Sequence, residues 1–386
     1  MSEKIEYKIA EYVKQKGGNT YYVGGFVRDL LQGNTSKDID IEVHGISEDD
    51  LLEIIAKVGK PLSYGKQFGI YSLEGHNIDI ALPRTEINTG KGHKDFDVSI
   101  NPFMDLNTAI KRRDFTINAI YKDVLTSQII DPYNGQQDIK NKTIRHIDKN
   151  KFIEDPLRVL RACQFASRFN YEIDNETIDL CKSIDITTLP KQRIEEELKK
   201  ALLKSDKPSL FFTNLAKMNQ LDYWFKDVNI NYIDEAKQNI SNINNKYAYL
   251  LSTLTVNSNF DISKIVDAND IKSYVNNIKE NINKETKDDY EINKLFYSLI
   301  DVNDFIYLKT LINKKNKFLF NKYESYKQLI SKPCVMGKDL IDLGYKPGQY
   351  YNLALEYAND LRLRGIDKKE ALDLTIKYIE TKKLDL

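Results

Sequence analysis

The chain has 386 residues, 41% hydrophobic and 30% charged, with Lys plus Arg and Asp plus Glu balanced at 57 each. That length allows two or three domains with a well-buried core and excludes global disorder, while the zero net charge leaves any nucleic-acid contact to local clustering. The three cysteines (Cys163, Cys181, Cys334) form no C-x-x-C pair, and the four histidines form no adjacent His-Asp pair, so a disulfide framework, structural zinc and a histidine-based hydrolytic centre are all disfavoured.

In chain order, residues 1–18 read as an amphipathic helix, with Ile5, Ile9, Tyr12 and Val13 at helical spacing and Gly17-Gly18 as a stop. From Tyr21 to about Arg145, short β-rich runs (TYYVGGF, KDIDIEV, GIYSLEG, NIDIALP, SQIIDPY) mix with helical segments near 26–32, 48–58 and 104–120. Beyond about 150, helical spacing dominates at 155–169, 174–184, 191–203, 208–219, 246–255, 289–299, 303–313, 349–363 and 367–381. The stretch 226–330 is rich in Lys, Asn, Ile, Asp and Tyr, with loop-like breaks at DVNINYID, NKETKDDY and NKKNKF; solvated helical faces account for that composition. No segment reaches the roughly 18 apolar residues of a membrane span, and the N-terminus lacks the apolar core of a signal peptide. A cytoplasmic protein is expected, with an α/β head and a helical body.

Chemistry concentrates first in YYVGGFVRDLLQGNTSKDIDIEV. A strand runs into Gly24-Gly25, which lets the backbone turn tightly, and the helix that follows offers free N–H groups to an anion. Arg28 lies within its first turns, where a guanidinium adds charge-assisted bonds to a phosphate. Asp38 and Asp40 stand two apart on the next strand and so share a face. By periodicity alone they are the polar side of a half-buried strand. Beside a phosphate loop, they become candidates to hold Mg²⁺ against nucleotide phosphates. Asp79, on the alternating run NIDIAL, is a candidate third carboxylate.

This segment resembles the first motif of the tRNA nucleotidyltransferase and bacterial poly(A) polymerase family, the class II branch of the polymerase-beta-like nucleotidyltransferases. KRRDFTINAI (111–120), IIDPYNGQQDIKNKTIRHI (129–147) and EDPLRVLRACQFASRF (154–169) follow in the family's order, with a weaker echo in VMGKDLIDLGYKPG (335–348). The resemblance implies an α+β protein: a nucleotidyltransferase head with a mixed sheet and helices (1–148), a helical neck with the nucleotide-selecting helix (149–225), and a helical, RNA-binding body and tail (226–386). It implies that Gly24, Gly25 and Arg28 meet nucleotide phosphates, that Asp38 and Asp40 hold the metal, and that Arg113 and Asp114 contact the nucleotide, Asp114 at the ribose 2′-hydroxyl. For Arg112-Arg113-Asp114 alone, an exposed helix-end ion pair would be the ordinary explanation.

Asp155, Arg158 and Arg161 recur every three residues and share one helical face; Asp155 can cap the helix and Pro156 suits its first position. Intrahelical ion pairs would explain the trio without function. Donor counting gives them a second use. Cytosine and adenine both present an amino donor beside a ring-nitrogen acceptor, whereas uracil and guanine present a carbonyl beside an N–H. A carboxylate only accepts and a guanidinium only donates. Asp155 with Arg158 would therefore accept C and A and leave U or G mismatched, a mode of selection worth about 10⁴ or more. The family assigns these two positions as its amino-acid template. Where relatives commonly carry a further arginine, this chain has Gln164, which puts a phosphate contact there in doubt.

The stretch RTEINTGKGHKDFDVSINPF (84–103) resembles a flexible loop that CCA-adding members retain and CC-adding members lack. The expected activity is therefore addition of C-C-A to the tRNA 3′ end from CTP and ATP, with Mg²⁺ as cofactor and the tRNA acceptor arm as partner. Poly(A) addition is the nearest alternative, and a catalytically dead RNA-binding protein or a small-molecule nucleotidyltransferase are more distant ones. No appended histidine-aspartate phosphohydrolase is expected.

Overall fold

Helix α1 (Ile5–Gln15) forms on the expected stripe: Ile9, Ala10 and Val13 are buried, and Gly17 at φ +88° ends it. In this computed structural model, which describes residues 4–35, 38–62, 69–88, 96–346 and 348–384, contacts divide the chain into two compact units, Met1–Lys226 and Asp227–Leu386.

In the first unit, strand β1 (Asn19–Tyr22) runs into helix α2 (Gly24–Leu31), β2 (Ile39–His44) and α3 (Glu48–Val58). Ser47 caps α3 by accepting the Asp50 N–H at 3.1 Å. Strands β3 (Pro61–Leu62), β4 (Ile70–Leu73) and β5 (Ile78–Ala81) follow, then a hairpin of β6 (Arg84–Asn88) and β7 (Phe96–Ile100). After α4 (Leu106–Lys111) and a 3₁₀ turn (Thr116–Asn118) come β8 (Tyr121–Asp123) and β9 (Ile129–Ile130). The seven-stranded sheet has the order β3-β4-β5-β2-β1-β8-β9. It is mixed, because β2 pairs with β5 in parallel while the other neighbours are antiparallel. One apolar cluster joins α1, α3 and the sheet through Ile9, Val13, Ile41, Val43, Leu51, Ile54, Ile55 and Ile80.

Two expectations for this head need correction. The helix expected over 104–120 stops at Lys111, because the next three residues are drawn sideways into ion pairs and Phe115 is extended, bridging to His146. The stretch 84–103 is a loop only in part: its arms are the β6–β7 ladder, in register from Arg84↔Ile100 to Asn88↔Phe96. Its centre, residues 89–95, lies outside the described residues.

Short elements α5 (Gly135–Asn141), β10 (Thr143–Ile144) and α6 (Lys149–Ile153) lead to α7 (Leu157–Phe169), whose residues Val159, Leu160, Ala162, Cys163 and Ala166 are fully buried. Then come β11 (Glu172–Ile173), α8 (Asn175–Lys182), α9 (Lys191–Lys204), α10 (Ser209–Lys217) and α11 (Asp222–Phe225).

The second unit is helical throughout its described residues: α12 (Ile233–Gln238), α13 (Lys246–Thr255), α14 (Asn269–Asn281), α15 (Asp289–Ser298), α16 (Val302–Ile312), α17 (Phe318–Ser331), α18 (Gly337–Asp342), α19 (Gln349–Leu363) and α20 (Lys368–Leu384). Helices α14 and α17 were not expected from the sequence. NKKNKF, read as a break, is a 3₁₀ turn leading directly into α17. Among the described residues no helix is long and apolar enough to cross a membrane.

Candidate nucleotide site

The glycine turn and the acidic strand are tied together by backbone. The Val23 N–H donates to the Asp40 carbonyl at 3.0 Å, and Tyr22 faces Ile41 in the β1–β2 ladder. Gly24 adopts φ +63°, a left-handed conformation that L side chains rarely take. A Cβ there would lie 3.1 Å from Arg113 Nη1 and 3.9 Å from Asp40 Oδ2. The bare backbone of Gly24 is thus what lets the glycine turn, an arginine and a carboxylate meet.

Asp38 lies one residue before β2 and is exposed; Asp40 is on the strand and partly buried. Asp79 stands opposite Asp40 in the parallel β2–β5 ladder and accepts a hydrogen bond from Ser72 Oγ at 2.7 Å. Burial, and then the charge of Asp79, push the Asp40 carboxyl up to about 6, with Asp38 adding to the effect and Arg113 and Arg28 opposing it. Two acidic groups, Asp38 and Asp79, act on one partly buried carboxylate, an arrangement that fits a divalent cation. Among the described residues no three His, Cys, Asp or Glu side chains form a metal cage by themselves. That suits an ion held by one or two carboxylates and completed by phosphate oxygens.

The sequence reading missed Glu42, two residues beyond Asp40 and only 1% exposed. Its Oε1 accepts from Tyr121 Oη at 2.6 Å and lies 2.9 Å from His44 Nε2; its Oε2 accepts from Arg112 Nη2 at 2.8 Å and Arg113 Nη2 at 3.4 Å. Burial favours the neutral acid, but the His44 contact and the charges of Arg113 and Arg112 outweigh it and hold Glu42 below the usual carboxylate range. This replaces the exposed helix-end ion pair considered for Arg112 and Arg113. The available signal was the alternation D-x-D-x-E, which continues the acidic face of β2 inward.

Asp114 is buried. Its Oδ1 accepts from the Phe115 N–H at 2.8 Å and Asn118 Nδ2 at 3.0 Å, and its Oδ2 accepts from Arg161 Nε at 2.8 Å and Nη2 at 2.6 Å. Burial raises its proton affinity, but Arg161 foremost, with Asn118 and Arg158, brings it below the ordinary value. Arg28, 3% exposed, folds back toward the glycine turn: a Cβ on Gly25 would lie 3.3 Å from its Nη2. Arg28 Nε and Nη2 donate to Asp29 Oδ1 at 2.9 and 2.6 Å, and Nη1 donates to Asn118 Oδ1 at 2.6 Å.

At the start of α7, Asp155 Oδ1 accepts the Leu157 N–H at 3.1 Å, a capping bond. The intrahelical ion pairs considered from the sequence are replaced by contacts to other elements. Asp155 pairs with Arg193 of α9, Nη1 to Oδ1 at 3.3 Å and Nη2 to Oδ2 at 3.2 Å. Arg158 donates to the backbone carbonyls of Lys151 and Arg112, each at 2.8 Å. Gln164 is 1% exposed, and among the described residues its Nε2 has no hydrogen-bond partner.

A mixed sheet carrying a glycine turn, paired acids and inward-facing arginines defines a nucleotide-handling head, and residues 20–145 match the poly A polymerase head domain. The chain is 34% identical over 259 residues to the CCA-adding enzyme of Francisella tularensis subsp. novicida, covering 63% of this chain and 68% of that one. It is 39% identical over 213 residues to the CCA-adding enzyme of Coxiella burnetii strain RSA 331, covering 54% of each. The crystal structure of Bacillus stearothermophilus CCA-adding enzyme in complex with CTP superposes with a TM-score of 0.73 over 100% of both chains at 21% identity, a likeness of fold. The chain belongs to the CCA-adding enzyme family of nucleotidyltransferases.

Proposed function

We propose that this chain adds C-C-A to the 3′ end of tRNA from CTP and ATP, as the names of its relatives indicate for those proteins. The observation that carries the reading is the meeting of the Arg113 and Asp40 side chains against the bare backbone of Gly24. In this reading residues 1–148 are the catalytic head, 149–225 the neck and 226–386 an RNA-binding body and tail, in a cytoplasmic protein.

Asp38 and Asp40 would hold Mg²⁺, which when bound supplies charge to the triphosphate and lowers the pKa of a coordinated hydroxyl. The other roles belong to the chain itself. Gly24 and Gly25 leave room for phosphate oxygens against the first N–H groups of α2. Arg113, Arg28 and Arg161 place positive charge where pyrophosphate departs. Asp114 accepts from the ribose 2′-hydroxyl. Asp155 accepts from the amino group of C or A, and Arg158 donates to the adjacent ring nitrogen, so U and G leave buried groups mismatched at about 1–3 kcal/mol each. The tRNA acceptor arm would be held mainly through its phosphates and its helical shape.

Incubation with Mg²⁺, all four nucleoside triphosphates and a tRNA lacking its terminal residues, followed by sequencing of the products, tests this. C-C-A confined to tRNA is the expected result. Long A tracts on any RNA would replace it with the poly(A) polymerase reading, and no incorporation would leave an RNA-binding protein.

A further inference from the structure

Phe165 and Phe169, one turn apart on α7, stack at 8° with centroids 5.8 Å apart. Three guanidinium groups lie against these two rings. Arg161 is 5.1 Å from the Phe165 centroid, Arg28 is 5.5 Å from Phe165 and 4.5 Å from Phe169, and Arg168 is 4.9 Å from Phe169. A path of alternating rings and cations therefore runs from Asp114, through Arg28 at the glycine turn, to Arg168.

The first two cations are answered. Arg161 binds Asp114, and Arg28 binds Asp29 and Asn118. Arg168 is half-buried, yet among the described residues it makes no hydrogen bond or ion pair. Burial and the neighbouring charge of Arg28 both work against its protonated form, with Asp29 offsetting part of that. A partly desolvated guanidinium beside a like charge is costly unless something anionic arrives. Stacking on a ring occupies the face of a guanidinium and leaves its planar N–H edge available, the edge that matches phosphate oxygens.

We propose that Arg168 is a phosphate-binding residue, held by Phe169 with its N–H edge open to an oxyanion beside Arg28. The inference deepens the nucleotidyl-transfer reading and rests on it for the source of that phosphate, either the incoming triphosphate or the RNA backbone. Phe169 is the platform that fixes the guanidinium plane, and Arg28 links this position to the glycine turn.

The test measures binding of inorganic tripolyphosphate and of a 3′-truncated tRNA, the latter at several salt concentrations, to the wild-type chain, Arg168→Ala and Arg168→Lys. A loss of about tenfold in tripolyphosphate affinity, with tRNA affinity kept, assigns the residue to the triphosphate. A comparable loss for tRNA, with the slope of log K against log salt smaller in magnitude by about 1, assigns it to the RNA backbone. In either case Lys restores part of the loss, because it keeps the charge without the fork. A folded Arg168→Ala that binds both ligands like the wild type overturns the proposal. If that variant does not fold, Arg168→Gln with unchanged binding of both does the same. A wild-type chain that transfers no nucleotide yet binds tripolyphosphate through Arg168 would sink the functional reading and leave this inference standing.

Discussion

Asp155 and Arg193 lie 38 residues apart in sequence and meet through two hydrogen bonds of 3.3 and 3.2 Å, so the carboxylate that caps α7 is also gripped by the first turn of α9. A cation in the first turn of a helix opposes the helix dipole; the ion pair with Asp155 offsets that cost. In the proposed reading, the grip fixes the direction in which Asp155 offers a lone pair to the base. Arg193→Ala is expected to lower the preference for C and A over U and G by about tenfold or more, with a smaller effect on total nucleotide incorporated. Competition assays with mixed triphosphates read this directly. An unchanged preference at an unchanged rate would show that Arg193 does no more than join two helices.

The contrast between Asp155 and Arg193 also shows what the sequence made legible. Asp155, Arg158 and Arg161 stood out as candidates because their three-residue spacing puts all three on one face of a helix. Arg193 sits on another helix, and no local spacing announces which distant carboxylate it will meet. Glu42 was obscured for a related reason: alternation placed it on the acidic face of β2, but only the sheet order shows that this end of the strand is buried under Arg112, Arg113 and Tyr121. In the second unit, Tyr274, Val275 and Ile278 bury one face of α14, yet the surrounding Asn and Lys residues masked its helical spacing, and no helix was expected there. Helix α17 was missed in the same way, because packing outweighed weak intrinsic propensity.

Glu42 neutralises part of a buried cluster in which two arginines face one carboxylate. Removing one partner from a buried ion pair leaves the other charge uncompensated, at about 3–5 kcal/mol. Glu42→Ala should lose stability on that scale in urea unfolding and should raise KM for CTP and ATP, because Arg113 is no longer drawn toward β2. Tyr121→Phe removes one hydrogen bond to the same carboxylate and an acceptor 3.4 Å from Arg113 Nε and Nη2, and should cost about 1–2 kcal/mol, with a smaller rise in KM than Glu42→Ala. A Glu42→Ala protein of near wild-type stability would contradict the hub.

Asp40 gives a pH dependence of defined sign. Its folded pKa of about 6 lies above the ordinary 3.8, so between those values the folded chain holds a proton that the unfolded chain has lost. The carboxylate therefore destabilises the metal-free fold increasingly as pH rises through that window, by on the order of 2 kcal/mol once its partial exposure to water is allowed for. Asp40→Asn should accordingly gain stability over the wild type at pH 7.5 and much less at pH 4. Magnesium should raise the melting temperature of the wild type more at pH 7.5 than at pH 5, and should leave the variant unmoved. Equal gains at both pH values, or a magnesium response retained in Asp40→Asn, would remove Asp40 from the metal site.

Two glycines separate the demands of the fold from those of the site. At Gly135 a Cβ would lie 2.2 Å from the Thr116 carbonyl oxygen and 2.8 Å from Ile120 Cγ1, and the Gly135 N–H is held by Asp131 Oδ1 at 2.7 Å. Backbone must shift to admit a methyl group there, so Gly135→Ala should cost about 2–3 kcal/mol of stability and leave the kinetics of the folded fraction near wild type. At Gly24 the nearest atoms belong to the Arg113 and Asp40 side chains, which can move, and the penalty of the left-handed backbone is about 1–2 kcal/mol. Gly24→Ala should therefore keep most of its stability and raise KM for nucleoside triphosphate about tenfold or more, because in the proposed site the methyl group would occupy the space between the phosphate and Arg113. Denaturant unfolding and steady-state kinetics on the same two proteins check both halves. The opposite ranking, with Gly24→Ala the less stable protein and Gly135→Ala the poorer enzyme, would mean that the turn at Gly24 serves the sheet and not the nucleotide.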